Sequence, residues 1–245
     1  MEPEVLQRTF ALVIPTLNEG GNIDRILTQI ISALSNTKYD YEIVIVDDGS
    51  NDGTVDKAWH WTERDARIRL IMRSGERGLA GAVLYGWSRC QARLLGVMDA
   101  DLQHPPELLP ELLRETEHAD VAIASRYAAS HGMKGWNPLR AAVSRLSTLA
   151  ATPLISSKNL RVTDPMSGFF VIHQRCIEGL TFQTTGFKLL LEILVRGHIR
   201  TVQEIPYHFG PRQAGRSKAS AAVAFHYVHL LSRLSRDLVL RSSEP

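Results

Sequence analysis

The first half of the chain alternates short apolar runs with stretches of helical periodicity, and this alternation restricts the fold more than any other feature. Apolar runs rich in β-branched residues occupy residues 10–15, 41–47, 68–72, 93–99 and 120–125. Helical spacing fills the intervals near residues 22–34, 54–65, 79–91 and 106–117. Such alternation is typical of an α/β fold, and continuous apolar strands indicate a sheet buried on both sides. We therefore predict a mostly parallel central sheet with helices on both faces.

The second half is less regular. The patterns predict a helix over 139–155, a turn and strand over 164–174, a short apolar helix over 186–197 and a strand over 200–209. We expect the first of these helices to be interrupted near Pro153, because proline lacks the N–H that a helix requires.

A last helix is predicted over 218–241. Its apolar residues recur at helical spacing: Val223, Tyr227, Leu230, Leu231, Leu234 and Leu238. We expect one domain over residues 1–217, followed by an amphipathic C-terminal helix within 218–245. The amphipathic segments 139–155 and 218–241 either lie on a bilayer or pack against the core.

Composition excludes several classes of protein. With 245 residues, 44% of them hydrophobic, the chain can build a substantial core. It has no uninterrupted apolar stretch of membrane-spanning length and no hydrophobic signal segment at its acidic N-terminus. Cys90 and Cys176 show no metal-binding or redox spacing. We expect a cytoplasmic protein with reduced thiols, no nucleic-acid partner and at most peripheral contact with a membrane face.

The charges are divided unevenly along the chain. Residues 1–125 contain 12 Lys and Arg against 20 Asp and Glu, whereas residues 126–245 contain 16 against 6. The acidic half therefore carries a net charge of −8 and the basic half +10. Either surface charge is clustered by chance, or carboxylates act early in the chain and anion-binding groups late.

Polar residues follow three of the predicted strands directly. Asn18 and Glu19 come after the first strand, a pair of aspartates after the second, and Asp99 and Asp101 after the fourth. Ligands of open α/β sheets bind beyond the carboxyl ends of the strands. These residues therefore mark the predicted binding edge.

The stretch "GVMDADLQHP" is either a polar loop or a metal site. If the extended geometry continues past Met98, then Asp99, Asp101 and Gln103 face the same side. Carboxylate and amide oxygens suit Mg²⁺ or Mn²⁺, and Mg²⁺ commonly binds one or two carboxylates together with substrate phosphates. The position at the binding edge favours the metal site.

Two glycine-containing stretches also follow strands. "VDDGSNDGT" (46–54) predicts a tight turn with Thr54 as the N-cap, and its aspartates could contact a nucleoside. "GERGLAGA" (75–82) lacks the spacing of a dinucleotide-binding loop. Gly78 and Gly81 allow either a close ligand or close helix packing.

The motifs "VIPTLNE", "IVDDGSNDGT", "GLAGAVLYG" and "VMDADLQHPPE" resemble, in this order, the donor-binding half of glycosyltransferase family 2. The later "ASRY", "DPMSGFF" and "GRSK" narrow the resemblance to the polyprenol-phosphate sugar synthases, and among them to the dolichol-phosphate mannose synthase group. The resemblance covers roughly residues 10–220. It implies a nucleotide-sugar donor, a divalent metal and a lipid-phosphate acceptor.

The resemblance also implies roles for individual residues. The nucleotide would be bound by Pro15, Leu17, Glu19, Val46, Asp47 and, indirectly, Asp48. Leu17 departs from the family, in which tyrosine is frequent. Asp99, Ala100 and Asp101 would contact the sugar diphosphate, with Asp99, Asp101 and Gln103 as metal ligands.

The basic residues complete this picture. Arg126, Arg140, Ser144 and Arg212 would bind the acceptor phosphate, and Arg126, Arg212 and Lys218 also the donor. Asp101, Arg126 and Arg212 would be the catalytic residues. Arg126 is alternatively a salt-bridge partner, and Arg140 part of a solvated face.

The expected reaction is inverting transfer of mannose from GDP-mannose to a polyprenyl phosphate of the dolichyl type. A UDP-glucose-dependent glucosyltransferase and a non-catalytic sugar-nucleotide-binding protein are the alternatives. Expected partners are the donor, the lipid acceptor, a membrane surface and a possible small membrane subunit.

Overall fold

The computed structural model describes residues 8–75, 77–128, 138–182, 188–207 and 221–242. For residues 138–144, 221–226 and 239–242 it describes the backbone alone.

The core of the molecule is a seven-stranded sheet. Its strands are β1 (Arg8–Thr16), β2 (Tyr41–Asp47), β3 (Ile68–Met72), β4 (Ala92–Val97), β5 (Val121–Ser125), β6 (Phe170–His173) and β7 (Val202–Pro206). They lie in the order β3-β2-β1-β4-β6-β5-β7. Only β6 is antiparallel to its neighbours, β4 and β5. The prediction of a mostly parallel sheet is confirmed.

In the described part of the chain, seven α-helices cover the sheet. They are α1 (Ile23–Leu34), α2 (Thr54–Arg64), α3 (Leu79–Trp87), α4 (Leu109–Glu115), α5 (Pro138–Ser156), α6 (Leu189–Arg196) and α7 (Ala221–Ser242). One apolar cluster joins the sheet to α1, α2 and α4, and a second joins its other face to α3, α5, α6 and α7. Helices on both faces are therefore confirmed. Within the described residues, no helix is long and apolar enough to cross a bilayer.

Helix α5 corrects one expectation. Pro153 does not interrupt it, since the helix runs on to Ser156. Proline removes a single backbone hydrogen bond here, one turn before the helix ends. Leu154 and Ile155, the next two residues, are buried in the core, and their packing offsets that loss.

Helix α7 corresponds to the predicted C-terminal helix. Tyr227, Leu230 and Leu234 are buried against the core, so these side chains do not form an apolar face for a bilayer. The proposed division of the chain after residue 217 lies outside the described residues and stays a prediction.

Candidate active site

The strand order brings the predicted acidic residues together. Strands β2, β1 and β4 are neighbours, and they end at Asp47, Thr16 and Val97 on one edge of the sheet. The register pairs Pro15 with Val46 across β1 and β2. The segments that carry Asp48, Glu19 and the Asp99–Gln103 stretch therefore leave the sheet side by side.

Asp47 braces the turn that follows β2. One carboxylate oxygen accepts hydrogen bonds from the N–H groups of Gly49 and Ser50, at 2.9 and 2.8 Å. The other accepts from the hydroxyls of Ser50 and Thr16, at 2.6 and 2.9 Å. Four donors surround a side chain that is 1% exposed. The carboxylate fixes the local backbone, and its predicted contact with the nucleotide stays a prediction.

Asp48 belongs to a second brace. Its carboxylate receives two hydrogen bonds from Arg73, both of 2.7 Å, and one of 2.8 Å from the N–H of Gly78. A Cβ on Gly81 would lie 2.6 Å from the Arg73 guanidinium. Gly81 therefore has a role other than ligand approach or helix packing. Because it has no side chain, it leaves space for Arg73, which joins β3 to α3.

The loop after β1 is tied to the start of α2. Thr54 is the first residue of α2 and Gly53 the N-cap, so the predicted cap is one residue out. The Thr54 hydroxyl accepts the Glu19 N–H at 2.9 Å, while Asp52 accepts the Gly20 N–H at 2.9 Å. These bonds fix the backbone on both sides of Glu19.

The Asp99–Gln103 stretch is a turn, and the extended geometry assumed for it is wrong. Strand β4 ends at Val97, and Leu102 has a left-handed φ of 61°. The turn is closed by Asp101, whose carboxylate accepts the Gln103 N–H at 3.1 Å. Asp101 and Gln103 are buried, at 5% and 7% exposure. The three candidate metal ligands thus lie along one turn rather than on one face of a strand.

Asp99 supplies an observation that fits a cation. Its Oδ1 atom is buried and lacks a hydrogen-bond partner among the described residues. Gly168 lies so close that a Cβ there would be 2.9 Å from Asp99 Oδ2. Two carboxylates and an amide suit a hard divalent cation, and an unpaired buried carboxylate oxygen is costly without one. No cluster of three or more His, Cys, Asp or Glu suited to a metal occurs in the described part of the chain.

Behind Asp99 lies a buried histidine. His104 Nε2 is 3.6 Å from Asp99 Oδ2, and His104 Nδ1 is 2.9 Å from the hydroxyl of Tyr207. Burial raises the pKa of Tyr207 above its ordinary value, a shift that the charge of Arg126 partly opposes. Tyr207 therefore stays protonated at neutral pH and holds the histidine ring behind the carboxylate.

Arg126, at the end of β5, is held by Asp164. Two guanidinium nitrogens donate to the carboxylate at 2.7 and 2.6 Å, and the Arg126 N–H donates at 3.0 Å. Burial acts to lower the pKa of Arg126, but the hydrogen bonds and charge of Asp164 outweigh it and hold the pKa above its ordinary value. The salt-bridge alternative is thus confirmed, while contact with a phosphate stays a prediction.

The structure describes the remaining predicted site residues to different extents. Val46 and Ala100 are buried and Leu17 is half-buried. Arg140 and Ser144 lie in α5, but their side chains are outside the described part. A further group of predicted positions lies wholly outside the described residues: Arg212 and Lys218.

Sequence reasoning missed several partners of the site: Arg73, His104, Asp164, Lys188 and Tyr207. His104 lies shortly after Asp99 in the quoted stretch "GVMDADLQHP", and Asp164 lies in "DPMSGFF". The other three are distant in sequence from the residues they contact and carried no signal. A cleft of about 510 Å³ at the opposite edge, near Asp120 and Arg200, contains none of the predicted residues.

Comparison with known proteins gives a consistent picture. Residues 11–181 match the family model described as glycosyl transferase family 2. A dolichol-phosphate mannosyltransferase of Pyrococcus furiosus is 36% identical over 228 residues, covering 92% of this chain and 63% of the relative. The Saccharomyces cerevisiae protein of the same name is 32% identical over 235 residues, covering 92% and 86%. The chain thus spans less than two thirds of the archaeal relative.

Solved structures share the fold. A glucosyl-3-phosphoglycerate synthase of Mycobacterium tuberculosis with Mn²⁺, UDP-glucose and phosphoglyceric acid has a TM-score of 0.71 at 19% identity, over 93% of this chain and 80% of its own. The same enzyme with Mg²⁺ and UDP has a TM-score of 0.65 at 21% identity, with the same coverage. Divalent metals are thus present in structures of an enzyme that shares this fold.

Proposed function

The chain belongs to glycosyl transferase family 2, and we propose that it transfers mannose from GDP-mannose to a polyprenyl phosphate of the dolichyl type, with inversion at the anomeric carbon. The observation that carries this proposal is the similarity to proteins named dolichol-phosphate mannosyltransferase across 92% of the chain. The acidic binding edge described above supports it.

The donor side of the reaction uses the ends of β1, β2 and β4. Pro15, Leu17, Glu19 and Val46 border the space for the nucleoside, and the Asp47 and Asp48 braces keep these loops in place. Asp99, Asp101 and Gln103 would hold Mg²⁺ or Mn²⁺. When bound, the cation stabilises the negative charge that develops on the departing nucleoside diphosphate.

The acceptor side requires alignment more than proton removal. A phosphate monoester is already anionic at neutral pH, because its second pKa is about 6. An acceptor oxygen can therefore attack the anomeric carbon while the bond from that carbon to the diphosphate breaks. Arg126, Arg140, Ser144, Arg212 and Lys218 are the residues proposed to bring the anions together, through orientation and charge stabilisation.

The acceptor is a membrane lipid, so we propose that the protein acts at a membrane face. A small apolar surface supports this: Leu146, Leu149 and Val228 are 64%, 67% and 65% exposed. The Tyr227 hydroxyl donates to the carbonyl of Ser147, which joins α7 to α5 beside these residues. We call this group of three the apolar patch.

A transfer assay tests the function. Purified protein is incubated with GDP-[¹⁴C]mannose or UDP-[¹⁴C]glucose, with and without polyprenyl phosphate, and organic-phase radioactivity is analysed by chromatography. We expect mannosyl label only when the lipid phosphate is present. Transfer from UDP-glucose alone would replace the donor assignment, and nucleotide binding without any product would favour a binding protein.

A further inference from the structure

Lys188 is a largely buried cation that the proposed reaction does not use. It immediately precedes α6, and its ammonium donates to the thioether sulfur of Met166 at 2.8 Å. The Nζ atom also lies 5.4 Å from the centre of the Tyr227 ring. A thioether is a weak acceptor. Within the described residues, no carboxylate forms a salt bridge with this lysine.

The neighbouring charges do not neutralise Lys188. Both oxygens of Asp164 accept hydrogen bonds from Arg126, and Asp164 is fully buried. The three side chains together therefore carry one positive charge in excess. Burial lowers the pKa of Lys188 to about 8, helped by the charge of Arg126 and opposed by that of Asp164. A buried ionised ammonium without a counter-ion is costly unless an anion completes the site.

The place of this excess charge indicates the anion. Arg126 follows β5, Asp164 precedes β6, and Tyr207 follows β7, so all three lie at the edge that carries Asp99 and Asp101. Tyr207 lies close enough to feel the charges of Arg126 and Asp164 as well as those of Asp99 and Asp101. Lys188 contacts Met166, two residues after Asp164, and feels the charges of Arg126 and Asp164.

Resting on the proposed function, we propose that Lys188 binds a substrate phosphate group beside Arg126. The phosphate belongs either to the lipid acceptor or to the diphosphate of the donor. In both cases the ammonium donates charge-assisted hydrogen bonds to phosphate oxygens in place of Met166. The bound anion also offsets the repulsion between Lys188 and Arg126.

The test compares Lys188→Met with Lys188→Arg in the full chain. Methionine keeps the length of the side chain and removes its charge, whereas arginine keeps the charge. The control is Lys158→Met, which removes a lysine at the opposite edge of the sheet. Calorimetry measures binding of GDP with Mn²⁺ and, separately, of a short polyprenyl phosphate. Both binding measurements require no turnover, so their result tests the role of Lys188 even if the protein does not transfer mannose.

We expect Lys188→Met to weaken one of the two ligands by about 10- to 100-fold, as for loss of a hydrogen bond from a charged group. Weakened polyprenyl phosphate binding assigns Lys188 to the acceptor, and weakened GDP binding to the donor. Lys188→Arg should recover most of the affinity, and Lys158→Met should keep both affinities within twofold. Unchanged binding of both ligands in Lys188→Met overturns the proposal.

Two further readouts exclude a purely structural role. The urea midpoint of Lys188→Met should equal or exceed that of the wild type, because a buried charge is removed; a lower midpoint with unchanged affinities overturns the proposal. If the enzyme turns over, kcat/KM for the affected substrate should fall as pH rises through about 8, and this decline should vanish in Lys188→Arg. The pKa values of Arg126 and Tyr227, which also face Lys188, are raised above their ordinary values, so neither group produces that decline.

Discussion

At the scale of single residues, Gly168 leaves room for the Asp99 carboxylate. Any side chain at residue 168 would place a Cβ 2.9 Å from the Asp99 carboxylate, closer than such contacts allow. We predict that Gly168→Ala displaces this carboxylate and lowers kcat/KM at least about 10-fold, since small misplacements in a site are costly. Steady-state kinetics at several Mn²⁺ concentrations measure the effect.

The matched control is Gly21→Ala, in the loop after β1. A Cβ at Gly21 would meet nothing within 4 Å, so its kinetics should stay within about twofold of the wild type. Equal kinetics for both alanine variants would show that Gly168 does not position Asp99.

Arg73 illustrates a residue whose role could not be read from the sequence. The "DDGS" motif identified Asp48 as a candidate ligand residue, but its partner lies 25 positions away, after a different strand. Likewise, the role of the Asp99–Gln103 stretch as a metal site stays a prediction, whereas the extended geometry assumed for it is wrong. The left-handed backbone conformation of Leu102 depends on the packing of the loop, and a leucine in the sequence does not indicate it.

We predict that Arg73→Met destabilises the protein by about 3–5 kcal/mol, because it leaves the buried Asp48 carboxylate without its counter-charge. Urea denaturation measures this free energy of unfolding. Arg175→Met, which removes an exposed arginine from the pair with Asp120, should cost less than about 1 kcal/mol. Similar losses of unfolding free energy in the two variants would show that the Arg73–Asp48 pair does not stabilise the fold.

At the scale of secondary structure, the apolar runs predicted every strand of the first half. The inner strands β1, β2 and β4 are apolar because the sheet is covered on both faces, whereas the edge strand β3 is partly exposed. The antiparallel insertion of β6 between β4 and β5 was not predictable. Its side chains are as apolar as those of its neighbours, and strand direction depends on the path of the connecting chain. Helix α5 likewise passes through Pro153 because tertiary packing outweighs a local preference.

The junction of β5 and β7 depends on a carboxylate. Asp120 accepts hydrogen bonds from the N–H groups of Arg200 and Thr201, at 2.8 and 3.1 Å, and from Arg175 at 2.8 Å. Burial acts to raise the pKa of Asp120, but these hydrogen bonds outweigh it and lower the pKa below 3.8. A lowered folded-state pKa stabilises the protein above 3.8 and loses that effect as pH falls further.

We therefore predict a pH-dependent cost for Asp120→Asn. The difference in unfolding free energy between wild type and variant should be constant from pH 7 to about 4. It should shrink below pH 4, as Asp120 becomes protonated in the wild type. Urea denaturation at several pH values measures this difference, and a cost that is unchanged at about pH 2.5 would refute the assignment.

At the scale of the whole molecule, the chain presents its acidic edge and its apolar patch on separate elements. The acidic edge lies at the ends of β1, β2 and β4. The apolar patch lies on α5 and α7, which cover one face of the sheet. In the proposed reaction, the acidic edge would bind the soluble donor and the apolar patch would contact the membrane that contains the lipid acceptor. The fold interleaves the acidic and basic halves of the sequence in one sheet, and the division of carboxylates and anion-binding groups between these halves stays a prediction.

We predict that the apolar patch contributes to membrane binding. Leu146→Ser with Leu149→Ser should reduce flotation with vesicles of phosphatidylcholine and phosphatidylglycerol, because both exposed leucines would insert among the lipids. Trp59→Ser serves as the control, as Trp59 is 57% exposed on α2, across the sheet. Equal flotation of wild type and double variant would exclude this surface.

In the proposed reaction, the acidic edge drives metal-dependent transfer of mannose to lipid phosphate. The most direct test of this role measures chloroform-extractable [¹⁴C]mannose formed from GDP-[¹⁴C]mannose and polyprenyl phosphate, after chelation and with Mn²⁺ restored. We predict that the wild type loses activity on chelation and regains it with Mn²⁺. Asp101→Asn should stay at least about 100-fold below the wild type at saturating Mn²⁺, while Glu107→Gln, at an exposed position on the same segment, keeps full activity. Near-wild-type transfer by Asp101→Asn would contradict the proposed role of the acidic edge in transfer.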